Sequence, residues 1–120
     1  MKKYGDFRDM SVWQKSFTLL RNIYKILRLF PPEEKYALTD DLRRAANSVV
    51  HNIAEGYGRF EARDKTRFYK ISRGSAYESM SQILVADAEN YISTETCNNL
   101  IMKYKEVIDE LSALIRSLEK

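Results

Sequence analysis

At 120 residues, with 44% hydrophobic and 31% charged side chains and a net charge of +3, the chain has the size and make-up of one soluble globular domain. Four glycines and two prolines argue against a turn-rich all-β fold, and the single cysteine, Cys97, excludes an internal disulfide and points to a reducing compartment. The opening stretch MKKYGDFRDM has no apolar signal core and no run approaches the roughly 20 apolar residues of a membrane span, so a cytoplasmic protein without a membrane partner is expected.

The first helix is expected to start near Met10 or Ser11, with Asp9 or Ser11 as its cap. Trp13, Phe17, Leu20, Tyr24 and Leu27 recur at helical spacing, and Leu19, Ile23, Ile26 and Phe30 form a neighbouring row. Together they predict a broad stripe facing a core. Pro31-Pro32 ends this helix, because proline disfavours helical geometry in the residue before it. The second helix is expected just after Pro32, with Glu33 and Glu34 at its positive end. Leu38, Leu42, Ala45, Ala46, Val49 and Ile53 share one face, and Gly56 and Gly58 mark the exit.

The third helix is predicted from Glu61 to Tyr91, roughly 45 Å long at 1.5 Å per residue. Its core face reads Phe68, Ile71, Ser72, Ser75, Ser79, Ile83 and Ala86, small and polar enough that the hydroxyls should bond to backbone carbonyls. Gly74 in mid-helix predicts a close helix–helix contact. Ser93 or Thr94 caps the fourth helix. There Cys97, Ile101, Tyr104, Ile108, Leu111, Ile115 and Leu118 alternate at spacings of four and three, and Leu100, Val107 and Leu114 add a second row. One row would face the bundle and the other a second subunit. The whole, residues 1–120, reads as a single all-α domain, an up-down-up-down antiparallel four-helix bundle.

Several short pieces stand in a particular order: Val12-Trp13-Gln14-Lys15, Phe30-Pro31, Leu42-Arg43-Arg44-Ala45, Asn52-Ile53-Ala54-Glu55-Gly56 with Gly58-Arg59, Arg67-Phe68, Gly74-Ser75 and Glu78. In these the chain resembles, over nearly its whole length, the small bacterial four-helix-bundle proteins named after the intervening sequences of 23S ribosomal RNA genes. The resemblance implies a ring-like homo-oligomer, a homopentamer. It also implies kinship with the accessory protein of diversity-generating retroelements, a basic pentamer that works with a reverse transcriptase and nucleic acid. The chain departs from the family pattern where Asp41 replaces a frequent Gln and Val50 a frequent Pro, which predicts a straighter second helix. Asn47 and His51 are more polar than the pattern implies.

Charge is unevenly spread. Residues 43–74 hold eight basic and three acidic side chains, net +5, whereas residues 75–120 hold four basic and eight acidic, net −4. Arg63, Arg67, Lys70 and Arg73 fall within about 120° on a helical wheel, opposite Phe68, Ser72 and Ser75. Such an arc is either a solvated face or a phosphate-contacting stripe, with Arg43, Arg44 and Arg59 assisting. Tyr57, Phe60 and Tyr69 lie close enough in sequence to stack on bases, though packing is the plainer use. Asn52, Glu55, Gly56, Gly74, Ser75 and Glu78 are expected to form a structural or interface network around the turn into helix three.

Signals for chemistry are poor. His51 and Glu55 offer two of the four ligands of a zinc site, and Cys97 lies on an apolar row. Gly56-Tyr57-Gly58 lacks the rest of a nucleotide-binding fingerprint, and Ser75 has no histidine placed to activate it. No cofactor, metal site or catalytic constellation is expected. The sequence therefore predicts a non-enzymatic homo-oligomer whose basic surface binds RNA or DNA. The alternative is an adaptor ring that recruits a protein partner, such as a reverse transcriptase.

Overall fold

In the computed structural model, which describes residues 4–120, the chain opens with a 3-10 turn, Phe7–Asp9. Met1, Lys2 and Lys3 of the opening stretch lie outside the described residues. Asp6 caps the turn by accepting from the Arg8 amide at 2.9 Å, while the Asp9 carboxylate accepts from the amides of Tyr4 and Gly5. Asp9 is thus engaged upstream and does not cap helix α1, Ser11–Leu27, whose N-cap is Met10 with no side-chain bond. Ser11 instead donates to Glu110 at 3.0 Å.

The buried face of α1 centres on Val12, Leu19, Leu20, Ile23, Ile26 and Leu27. Phe17 and Tyr24, expected in the core, are 40% and 42% exposed. The apolar stripe is wider than one bundle can cover, so its Phe17–Tyr24 edge is left outside. Phe30, past the helix end, is buried against Tyr91 with ring centroids 5.4 Å apart.

The second helix starts later than Pro32. Pro32–Glu34 forms a separate 3-10 turn, and Ala37 breaks the run with φ −122° and ψ −108°. Helix α2 then spans Leu38–Tyr57, continuous through Val50. One oxygen of Glu34 accepts from the Leu38 amide at 3.2 Å and the other from the Tyr91 hydroxyl at 2.8 Å. A single carboxylate thereby satisfies an orphan helix donor and pins the α3–α4 loop. Leu42, Ala45, Ala46, Val49, Val50 and Ile53 are all buried.

Helix α3 spans Ala62–Ala88, ending short of Tyr91 because Asn90 turns left-handed at φ 62°, letting the Tyr91 amide bond back to the Ala86 carbonyl at 2.9 Å. Its buried residues are Thr66, Tyr69, Ser72, Ala76, Ser79, Ile83 and Ala86. The expected face is therefore rotated: Tyr69 and Ala76 are core and Ile71 is on the surface. Helix α4, Thr94–Leu118, is capped by Ser93, whose hydroxyl accepts from the Thr96 amide at 3.0 Å. Leu100 and Val107 of its second row are buried in the chain's own core, so that row is not left for a second subunit.

Four helices pack as a bundle in which α2 lies on α3, α3 on α4, and α1 on both α2 and α4. Among the described residues no Cα of α1 comes within 8 Å of one in α3, and none of α2 within 8 Å of one in α4, so these pairs lie diagonally across the shared core, and there is no strand. The body measures 43 × 29 × 22 Å. No helix among the described residues is long and apolar enough to cross a membrane.

Candidate nucleic-acid interface

The seven candidate cations separate into three places. Arg59, Arg63, Arg67 and Lys70 gather at the corner where α2 ends and α3 begins. Arg63, Arg67 and Lys70 line an open basin of about 650 Å³ together with Asp64, Thr66 and Glu119. The guanidiniums of Arg59 and Arg67 lie 4.6 Å and 4.9 Å from the centre of the Phe68 ring, which holds both at the corner. Arg73 points away toward α4, where it donates to the Ser112 hydroxyl at 3.2 Å. Arg43 and Arg44 belong to the other half of α2, about 20 Å along the helix at 1.5 Å per residue. Both are tied to local carboxylates, Arg43 to Asp40 and Arg44 to Asp41, each at 2.7 Å.

Pairing divides the corner group further. Arg59 meets Glu55 at 3.0 Å and Lys70 meets Glu119 at 2.6 Å. Arg63 and Arg67 have no carboxylate at ion-pair distance among the described residues and are exposed. These two can accept an anion without first giving up a carboxylate. Lys65, outside the predicted stripe, reaches back to the end of α2 and donates to the Tyr57 carbonyl at 2.8 Å. It fastens the corner, as a cation at a helix C-terminus does.

The residues expected to form one network do not converge. Asn52 donates to the Ser48 carbonyl at 2.9 Å, and the Ser48 and Ser75 hydroxyls meet at 2.7 Å, so Asn52 and Ser75 share one seam between α2 and α3. Glu55 lies on the surface with Arg59. Glu78 accepts from Gln82 at 3.2 Å. Gly56 is inside α2, not in a turn: a Cβ there would come 2.6 Å from Cε1 of Tyr69. Gly74 is exposed, and a Cβ there would meet nothing within 4 Å, so the expected close contact is absent within the chain.

Aromatic residues are sorted by the same corner. Tyr69 is buried, and burial pushes its phenol up. Tyr57 packs at 6.5 Å from Phe7, which meets Trp13 edge-on at 5.1 Å. Phe60, in the loop between α2 and α3, is 94% exposed. Its signal in the sequence was a large apolar residue outside both helical periodicities, placed directly after Gly58-Arg59. His51 bonds to Asn47 at 3.2 Å, and Asn47 also donates to the Tyr24 hydroxyl at 2.9 Å, which accounts for both polar positions on α2. Among the described residues no three of His, Cys, Asp and Glu come together as a metal site.

The fold matches the crystal structure of a protein of unknown function from the S23 ribosomal protein family of Bacteroides thetaiotaomicron VPI-5482. The TM-score is 0.80 and the identity 20%, over 87% of this chain and 97% of that one. At that identity the likeness speaks for the fold alone. No curated protein sequence matches the chain. The family model described as 23S rRNA-intervening sequence protein matches residues 8–113, from the first turn through most of α4, and the chain belongs to that family.

Proposed function

We infer that the chain works as a non-enzymatic homo-oligomer, built from up-down-up-down antiparallel bundles, whose basic corner binds RNA or DNA by its phosphates. The observation that carries the binding is the pair Arg63 and Arg67, exposed and free of carboxylate partners beside an open basin. In the antiparallel arrangement neighbouring helices contact in opposite order: Ser11 and Lys15 of α1 reach Glu110 and Glu106 of α4, and Arg73 and Asp87 of α3 reach Ser112 and Thr94.

Support for assembly comes from the outside of α3. Ile71, Tyr77, Leu84 and Val85 are between 46% and 57% exposed, and Gly74, Ser81 and Ala88 recur every seven residues among them. Large side chains interleaved with small ones are what a second helix packs against. Five copies is the number that the family resemblance implies. Each ring would present five Arg63–Arg67 pairs, so weak single contacts gain avidity. The same face supports a second reading, an adaptor that holds a different protein.

Titration of labelled RNA and DNA by fluorescence anisotropy at two salt concentrations tests the binding. Binding at low salt should weaken steeply as salt rises, and Arg63→Ala with Arg67→Ala should flatten the salt slope by about two phosphates' worth. Absence of binding at low salt removes this reading and leaves the adaptor.

A further inference from the structure

We propose that the α2–α3 corner is a single-strand site, in which Phe60 stacks on an unpaired base while Arg63 and Arg67 hold the flanking phosphates. This rests on the nucleic-acid reading and names the form of nucleic acid. Phe60 is the most exposed large apolar side chain among the described residues, at 94%, so the chain's own packing makes almost no use of it. The loop beneath it is fastened: Lys65 holds the last carbonyls of α2, and the Arg59 amide donates to the Gly56 carbonyl at 3.2 Å. A ring presented on a fastened loop loses little freedom when a base covers it.

Charge decides what kind of partner fits. Residues 55–67 carry four cations (Arg59, Arg63, Lys65, Arg67) and three carboxylates (Glu55, Glu61, Asp64), a surplus of one. Phosphate attraction at one such corner is therefore modest, and a second attraction is needed for useful affinity. An exposed phenyl ring supplies it only to a base with a free face, which a strand has and the stacked interior of a duplex lacks. Arg59 and Arg67, held over the neighbouring Phe68 ring, show that guanidinium and aromatic planes already associate at this corner.

The test compares a short labelled oligothymidine and its RNA counterpart with a duplex of equal length at low salt. The native chain should prefer the strand by about ten-fold, within the range that one stacked base provides. Phe60→Ala should bring strand affinity down to the duplex level and leave duplex affinity and the salt slope unchanged. Phe60→Trp should restore the preference and show fluorescence quenching on binding. If Phe60→Ala binds the strand as tightly as the native chain, the stacking inference falls while phosphate binding stands. If Phe60→Ala instead changes the mass in light scattering, the ring belongs to a contact between copies and the inference also falls. Failure of the native chain to bind either form overturns both readings.

Discussion

Two glycines in this chain have opposite meanings, and substitution separates them. Gly56 allows the Tyr69 ring to lie against the α2 backbone, where any Cβ would stand 2.6 Å from Cε1. Because Tyr69 is itself buried, it has nowhere to retreat, and Gly56→Ala should cost about 1–3 kcal/mol by overpacking. Gly74 meets nothing within 4 Å. Gly74→Ala should stabilise the isolated chain by up to about 1 kcal/mol, the helix-propensity difference. Urea unfolding followed by circular dichroism in dilute solution measures both; equal midpoints for the two variants would contradict this assignment. Tyr104 gives a residue-scale pH dependence. Burial pushes its phenol well above the ordinary 10.0, and Tyr91, hydrogen-bonded to Glu34, is pushed up to about 12. Above pH 10 the unfolded chain releases phenol protons that the folded chain keeps, so unfolding is favoured and stability falls as pH rises; below pH 10 these groups add no slope. Tyr104→Phe removes one such group. Its stability relative to the native chain should therefore rise between about pH 10 and 12, at up to about 1.4 kcal/mol per pH unit.

At the scale of elements, the contact between α2 and α3 includes hydroxyl bonds as well as apolar packing. The fully buried Ser72 donates to the Val49 carbonyl at 2.7 Å, a group already within the hydrogen-bond ladder of α2. Ser72→Ala should cost about 1 kcal/mol in unfolding free energy with the fold intact, whereas Ser81→Ala on the open side of α3 should change it by less than about 0.5 kcal/mol. This seam also explains which parts of the fold were legible in the sequence. The α4 rows could be read directly, since Leu100, Tyr104, Val107, Ile108, Leu111 and Ile115 are large and all buried. On α3 Ser72, Ser79, Ile83 and Ala86 were placed correctly, but the buried positions include Thr66, Ser72, Ala76, Ser79 and Ala86, which carry little hydropathy, so the apolar Ile71 drew one edge of the predicted face out to the surface and away from Tyr69 and Ala76. The start of α2 was hidden for a different reason: Pro32 opens a helical turn that Ala37 then interrupts, and nothing in alanine's propensity announces a break. Of the candidate interface, the wheel correctly put Arg63 and Arg67 outside. It placed Cα positions rather than guanidiniums, and so did not separate Arg73, which folds over to Ser112, from the rest.

At the scale of the molecule, the surface left over by the core is what the proposed assembly has to use. Phe17 and Tyr24 lie on α1 and Ile71, Tyr77, Leu84 and Val85 on α3, two helices that lie diagonally across the bundle. Helices diagonal in a bundle point their outer faces in opposite directions. Pairing the α1 face of one copy with the α3 face of the next is therefore a head-to-tail contact, the kind that closes into a ring when the rotation per copy divides a full turn. A face-to-face dimer through α3 alone would leave the α1 residues uncovered. The prediction that follows concerns mass and affinity together. The native chain should scatter light as a multiple of 14.1 kDa, about 70 kDa for five copies. Val85→Asp puts a charge in the middle of the proposed seam, at a position exposed in the single chain, so helix content should be unchanged while the mass falls toward one copy. If the corner sites act through avidity, the same variant should bind long nucleic acid at least ten-fold more weakly while its affinity for a short oligonucleotide spanning one corner is unchanged. A native chain that scatters as a monomer at micromolar concentration would break this link, because no repetition of Arg63, Arg67 and Phe60 would then exist to be lost.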